Sequence, residues 1–352
     1  MRASFSHYQL QFRQPAGTSR GVYTSREVWY LLLEKDQWYG VGECAPLPGL
    51  SRETPAETEG LLREICRDPK RFVRNPSLLV PVSSVRFAFE SALRDLQEGG
   101  RQVLFSSDFT RGISGIPING LIWMGQAEEM KRQIDQKLKE NYHCIKLKIG
   151  HLNFEQEIDL LKMVRSSCPK ETMTLRVDAN GAYQPEEASG VLSRLAELDI
   201  HSIEQPIQAG QWCKMAIICK ESPVPIALDE ELIGVNDLAG KATLLDTVKP
   251  AYLVLKPSLH GGFSGCDEWI KLAEQRSIGW WVTSYLESNI GLNAIAQWTF
   301  TKQVSAHQGL GTGKLFVNNI NSPLFTEGEQ LRFNPSVSFK REAIFKQKGD
   351  EK

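Results

Sequence analysis

The apolar positions of this chain change their period partway along it. Over residues 8–13, 27–34 and 38–44 they alternate with polar positions or form short apolar runs, the pattern of β-strands. The stretch QPAGTSRG between the first two, residues 14–21, reads as a mobile loop, so the three segments predict an antiparallel meander. Two helical stretches follow. The clearer spans 84–97, where Val85, Phe89, Ala92, Leu93 and Leu96 recur at helical spacing before QEGGRQ ends it. Together these elements predict a small α+β module over residues 1–110.

From GIPINGLIWM onward, short apolar strands alternate with amphipathic helices. Strands are predicted over 117–121, 144–149, 175–178, 202–204, 226–229, 253–256, 280–284 and 307–310. Between them Phe154, Ile158, Leu161 and Val164 mark one helix face. Ala188, Val191, Leu192, Leu195 and Leu198 mark another, with Pro185 in its first turn. Strand and helix repeated in this way demand a parallel sheet, and eight units favour a closed barrel over an open sheet. The barrel region is 111–320, and its last strand lacks an apolar-faced helix after it. Residues 321–352, rich in Pro, Phe and polar groups, read as a tail that returns to the first module.

Composition narrows the possible partners. The chain has 352 residues, enough for a large α/β domain and a smaller one. Its 41 Lys and Arg against 42 Asp and Glu give a net charge of −1, so no field attracts nucleic acid or an anionic membrane. The start, MRASFSHYQLQF, has no apolar core of signal-peptide length, and the apolar run 28–33 is far too short to span a bilayer. A soluble protein is expected. Its seven cysteines are scattered and form no C-x-x-C pair, which fits reduced thiols in a cytoplasm. Nothing in the sequence fixes an oligomeric state.

Charged residues recur at one address. Asp178 closes LRVD, Glu204 closes SIE, Asp229 closes IALD and Lys256 closes LVLK, at intervals of 26, 25 and 27 residues. In a parallel barrel the C-terminal ends of the strands share one rim, where active sites sit. Three acids on successive strands therefore converge there and suit a hard divalent cation such as Mg²⁺ or Mn²⁺. Each acid alone could equally cap the helix that follows it, but glutamate is a poor N-cap and three in consecutive units are hard to obtain by capping.

Two lysines share a face of the second barrel strand. In CIKLKIG, Lys146 and Lys148 point one way while Ile145, Leu147 and Ile149 point the other. An edge strand with lysine on its wet side would look the same. Inside a barrel the lysines face the mouth. Two residues along a strand span roughly 6.6 Å, and at an effective dielectric of about 20 two charges so placed repel by about 2.5 kcal/mol. The sign favours a neutral lysine, and a neutral lysine is a base. Lysines on two sides of a carboxylate-held metal suit removal of a proton next to a carboxylate. The ligand is then a small-molecule carboxylate. GLGTG, residues 309–313, reads as a tight turn and not as a phosphate loop. The tryptophans, Trp280 and Trp281 among them, read as packing.

KLK, VDAN, IEQP, LDEEL, VLKPSLHGG and SYLESNIGL, in that order and spacing, resemble the enolase superfamily. Within it the chain is similar to the o-succinylbenzoate synthase family, a likeness that GVGECAPLPGLSRET, SVRFAFESALRDL and HQGLGTGKLFVNNI extend over nearly its whole length. The resemblance implies an α/β fold: a (β/α)₇β TIM-like barrel with an α+β capping domain formed by the N-terminal segment and the C-terminal tail. It implies that Asp178, Glu204 and Asp229 are metal ligands, with Glu230 an alternative to Asp229 because LDEEL departs from the commoner DES. It implies that Lys148 is the acid/base and that Lys256 on the opposite face stays charged and stabilises the intermediate. Lys146 and Arg176 would place and polarise these groups, and Asn119 and Ser284 would face the substrate. Residues 15–23 and 47–51 would close over the substrate's arm. The implied reaction is a metal-dependent syn-dehydration in menaquinone biosynthesis. Racemases or epimerases of acylamino acids and dipeptides share the same barrel motifs, and a non-catalytic barrel is a remoter alternative.

Overall fold

The computed structural model describes residues 1–18, 21–339 and 344–345. The chain begins with three antiparallel strands, β1 (Arg2–Thr18), β2 (Gly21–Lys35) and β3 (Trp38–Cys44), ordered β1-β2-β3. The run 28–33 is apolar throughout because both faces of this sheet are covered. Trp29, Leu31 and Leu33 pack against α1 (Pro55–Arg67), α2 (Pro69–Arg74) and α3 (Ser83–Gln97). Val28, Tyr30 and Leu32 face a cluster with Ile290, Phe316 and Ile320 from the other end of the chain. Helix α3 lies so close to β3 that a Cβ on Gly40 or Gly42 would collide with the Ala92 or Ala88 carbonyl. The loop expected at 14–21 is largely strand instead: Ala16 pairs with Tyr23, Gly17 with Val22 and Thr18 with Gly21 after a register shift beyond Gln11. Residues 19 and 20 of that loop lie outside the described residues.

The barrel follows. In chain order its elements are β4 (Ile116–Pro117), β5 (Gly120–Ile122), α4 (Ala127–Lys139), β6 (Cys144–Lys148), α5 (Phe154–Ser167), β7 (Thr174–Asp178), α6 (Pro185–Ala196) and β8 (Ser202–Glu204). They continue as α7 (Trp212–Glu221), β9 (Ile226–Leu228), α8 (Leu238–Val248), β10 (Tyr252–Leu255), α9 (Gly262–Glu274), β11 (Gly279–Val282) and α10 (Asn289–Phe300). Strands β5 to β11 form one parallel sheet in sequence order. Its two edges meet through the predicted strand 307–310, reduced here to single bridges: Gln308 to Ile118 and Gly309 to Thr283, both parallel. The GLGTG run thus opens in the closing strand, not in a free turn. Gln308 also uses its side chain, accepting from the Val282 amide at 2.7 Å. The ring closes with seven helices, α4 to α10, outside it, so the (β/α)₇β reading of the sequence holds.

Alternation divides the strands between two environments. Ile145, Leu147, Leu175, Val177, Ile203, Ile226, Leu228, Leu253 and Leu255 pack outward in the main core beneath the helices. Ala227, Val254 and Trp281 form a small cluster of their own inside the ring.

The tail departs from expectation in its first half. Strands β12 (Leu324–Glu327) and β13 (Gln330–Phe333) form a hairpin that pairs with β4, Leu331 opposite Ile116, at the N-terminal end of the barrel. The edge of β4 needs a partner, and Leu331 and Phe333 gain burial in the main core there. Ile344 then joins Leu10, Val28 and Tyr30 in the cluster on the N-terminal sheet. No helix among the described residues is long and apolar enough to cross a membrane.

Candidate active site

The barrel register brings the predicted acids and amines to one level. Lys148 pairs with Asp178 across β6 and β7, and Asp178 pairs with Glu204 across β7 and β8. Asp229 directly follows β9, and Lys256 directly follows β10. Because Cys144, Lys146 and Lys148 alternate with core residues, both lysines project inward, as the sequence predicts.

The side chains form one linked array. Lys146 Nζ lies 2.6 Å from Glu204 Oε2 and 2.8 Å from Asp178 Oδ2. Lys148 Nζ lies 2.6 Å from the same Asp178 oxygen and donates to Asn180 Oδ1 at 2.7 Å. On the far side Lys256 Nζ is paired with Asp229 Oδ2. Asn180 Nδ2 donates to Glu230 Oε1 at 2.9 Å, which ties the third barrel strand to the fifth. His260, fully enclosed four residues on, accepts the Lys256 amide proton at Nδ1, 3.1 Å away, and so fixes the end of β10.

Electrostatics here run against the simple repulsion argument for Lys146. Burial pushes its ammonium down, but Asp178 and Glu204 outweigh burial and hold it above its usual range. Lys146 is therefore a fixed cation and not a base. Burial likewise raises Asp178, yet Lys146 and Lys148 together depress it well below the ordinary carboxylate range. Glu204 moves the other way: burial and then the neighbouring Asp178 charge raise it. Burial raises Asp229 and Glu230 too, against the pull of Lys256. Four buried acids thus face three lysines, and burial is the main cause of the upward shifts of Glu204, Asp229 and Glu230.

The residues fit a hard divalent cation. Glu204 Oε1, Asp229 Oδ1 and Glu230 Oε2 are buried with no hydrogen-bond partner. Orphaned carboxylate oxygens in a dry site are costly unless something positive meets them. An all-oxygen donor set of this kind suits Mg²⁺ or Mn²⁺. Among the described residues, however, no group of three acids, histidines or cysteines converges tightly enough to hold an ion as it stands. The lysines occupy the oxygens Asp178 Oδ2, Glu204 Oε2 and Asp229 Oδ2. The second oxygens of Glu204 and Asp229, with Glu230 Oε2, are the ones left to meet a cation while those pairs persist.

The array opens into a cavity of about 980 Å³ between the barrel mouth and the N-terminal sheet. Asn119, Ser284, Lys146, Lys148 and Lys256 all line it, as do Ala16, Gly17, Leu47 and Leu50 from the two loops expected to close over it. Ser284 Oγ is 2.6 Å from Thr312 Oγ1. Of the two candidate ligands in LDEEL, Glu230 reaches the cavity wall while Asp229 sits behind it on Lys256. Arg176, expected to help place and polarise these groups, does not line the cavity. It points inward a layer below Asp178, donates to the His307 carbonyl at 2.9 Å and stacks 4.1 Å from the Trp281 ring centre. Trp281, read from the sequence as packing, does line the cavity, on the inward phase of β11 with Thr283. Asn180, which bridges Lys148 and Glu230, was legible only as part of VDAN.

Comparison with known proteins matches this geometry. The family model described as enolase C-terminal domain-like matches residues 129–328. An o-succinylbenzoate synthase from Desulfotalea psychrophila is 45% identical over 94% of this chain and 98% of its own length. The crystal structure of MenC from Desulfotalea psychrophila superimposes with a TM-score of 0.84 at 41% identity, covering 94% of this chain and 99% of that one. An o-succinylbenzoate synthase from Thermosynechococcus elongatus, complexed with Mg in its active site, has a TM-score of 0.72 at 26% identity and covers 88% of this chain and 92% of that one. The chain belongs to the enolase superfamily and, within it, to the o-succinylbenzoate synthase family.

Proposed function

We propose that this chain is an o-succinylbenzoate synthase, a hydro-lyase converting 2-succinyl-6-hydroxy-2,4-cyclohexadiene-1-carboxylate to 2-succinylbenzoate and water in menaquinone biosynthesis. The observation that carries the reading is the placement of Lys148 and Lys256 on opposite sides of Glu204, each tied to a different acid. Asp178, Glu204 and Asp229 would hold Mg²⁺ or Mn²⁺, with Glu230, whose Oε2 is likewise buried and unpartnered, as the alternative to Asp229. When bound, such an ion supplies positive charge for the substrate carboxylate as the neighbouring C–H bond breaks.

The rest is done by the chain's own side chains. Lys148 as free amine takes the proton α to the ring carboxylate. The electron pair left behind forms the new ring double bond and expels the hydroxyl, to which the Lys148 ammonium returns the proton on the same face. Lys256, paired with Asp229, stays cationic and stabilises the charge that builds on the carboxylate. Lys146 ties Asp178 to Glu204 and keeps the two acids aligned. Asn119, Ser284 and Trp281 border the space for the ring and its arm. We assign residues 1–110 to a capping domain, 111–320 to the barrel and 321–352 to a tail shared between them, in a cytoplasmic enzyme.

Racemisation of an N-acylamino acid needs protons exchanged from both sides, and burial is outweighed at Lys256 by three acids, Asp229, Glu230 and Glu204, which hold its ammonium above the usual range and argue against a free amine there. The test follows loss of the cyclohexadiene absorbance by purified protein with Mg²⁺, beside a parallel assay of an N-succinylamino acid. Aromatisation at enzymatic rates supports the synthase; racemisation alone, or neither reaction, rejects it.

A further inference from the structure

A guanidinium buried in the seam between the N-terminal sheet and the barrel takes no part in this chemistry. Arg26, on β2, is 2% exposed. It donates to the Tyr285 and Ala45 carbonyls, and its carbon stands 4.7 Å from the centre of the Tyr285 ring. Among the described residues no carboxylate pairs with it. Burying a cation against neutral groups alone is costly, so its placement calls for a reason.

Glu43, on β3, is fully buried beside the same loop. It accepts hydrogen bonds from the Ser288 amide at 2.7 Å, the Ser288 hydroxyl at 2.5 Å and the Gly291 amide at 2.7 Å. It thus meets the orphan donors at the start of α10 from outside the barrel. Between these two anchors run residues 284–288, and Ser284, Tyr285 and Leu286 line the cavity. Leu286 has φ of 57°, a left-handed conformation that a leucine disfavours and that persists only where its surroundings impose it. Glu287 completes the hold, accepting the Tyr285 amide at 2.7 Å and the hydroxyl of Ser258, two residues after Lys256.

We infer that Arg26 and Glu43 are positioning residues: reaching across from the cap, they fix the strained 284–288 loop and so set the substrate-binding wall that Ser284 and Tyr285 form. The inference rests on the proposal that this cavity is the substrate site. Without the two anchors the loop relaxes toward ordinary backbone angles and the wall is lost, while Lys148 and the acids, held by other strands, keep their places.

Arg26→Gln, Glu43→Gln and the conservative Arg26→Lys test this in two ways. Steady-state kinetics should show KM raised about tenfold or more with kcat changed far less, and Arg26→Lys should recover part of the loss. Hydrogen exchange should quicken at the 285–288 amides in the Gln variants but not in the barrel strands. Exchange is read without turnover, so a wild-type protein inactive on the cyclohexadiene substrate rejects the functional reading while the loop assignment is still decided. Unchanged KM with kcat and melting temperature falling together, or exchange rising evenly over the molecule, overturns the inference.

Discussion

Replacing Lys148 is the sharpest test of the chemistry, because its effects on rate and on stability should separate. In Lys148→Ala the proton acceptor is gone. Lys146 cannot substitute, since its ammonium is held between Asp178 and Glu204 at 2.8 and 2.6 Å. General-base catalysis contributes about 10²–10⁴ in rate, and a loss near 10³ corresponds to about 4 kcal/mol of barrel-mouth barrier. Stability should change little by comparison. Asp178 keeps Lys146 as partner, and the Lys148 side chain is 15% exposed, so a cost of about 1–2 kcal/mol is expected. For a chain of this size that moves the melting temperature by only a few degrees. Lys148→Arg separates charge from basicity, because a guanidinium preserves the cation beside Asp178 but does not deprotonate. Both variants should lose turnover in an ultraviolet assay of aromatisation. A small primary amine added to Lys148→Ala should restore part of it. A Lys148→Ala enzyme retaining a tenth of wild-type kcat alongside a dead Lys256→Ala refutes the assignment of the base.

Two further outcomes follow from the buried charges. Exhaustive chelation should abolish activity and lower the melting temperature, with Mg²⁺ or Mn²⁺ restoring both; full activity in the chelated protein contradicts the acid cluster as a metal site. Burial pushes the Glu43 carboxyl from 4.5 up to about 7, so the folded protein binds this proton more tightly than the unfolded chain. The resulting stability is present below the unfolded value and is lost as pH rises through the folded one, about 3 kcal/mol in all. Chemical denaturation at several pH values should therefore show wild type losing ground to Glu43→Gln between about pH 5 and pH 8. A difference independent of pH rejects this account.

The sequence exposed the site through its period. Charged residues closing apolar strands once per unit locate a rim, and alternation along β6 assigns both lysines to the interior. Alternation gives a face but not a depth, which is why Arg176, on the same inward phase as Asp178, reads as a group that places and polarises the catalytic residues but instead supports Trp281 from below. The repulsion between Lys146 and Lys148 was computed for an isolated strand; two acids from neighbouring strands reverse its sign for Lys146. The long hairpin of β1 and β2 was hidden because Pro15 and Gly17 signal a loop, while cross-strand pairing decides otherwise. The eighth strand was placed correctly but shrinks to two bridges, since its neighbours also bind it through the Gln308 side chain.

The hairpin on the barrel floor also constrains the order of assembly. Strand β4, at residues 116–117, is bordered by β13, at 330–333, so the strand that leads into the barrel is covered only by a segment more than 200 residues further along the chain (330 − 117 = 213). Contacts of such long sequence separation form slowly. During synthesis the growing chain must carry that edge of the barrel floor uncovered until residues 330–333 have emerged to pair with it.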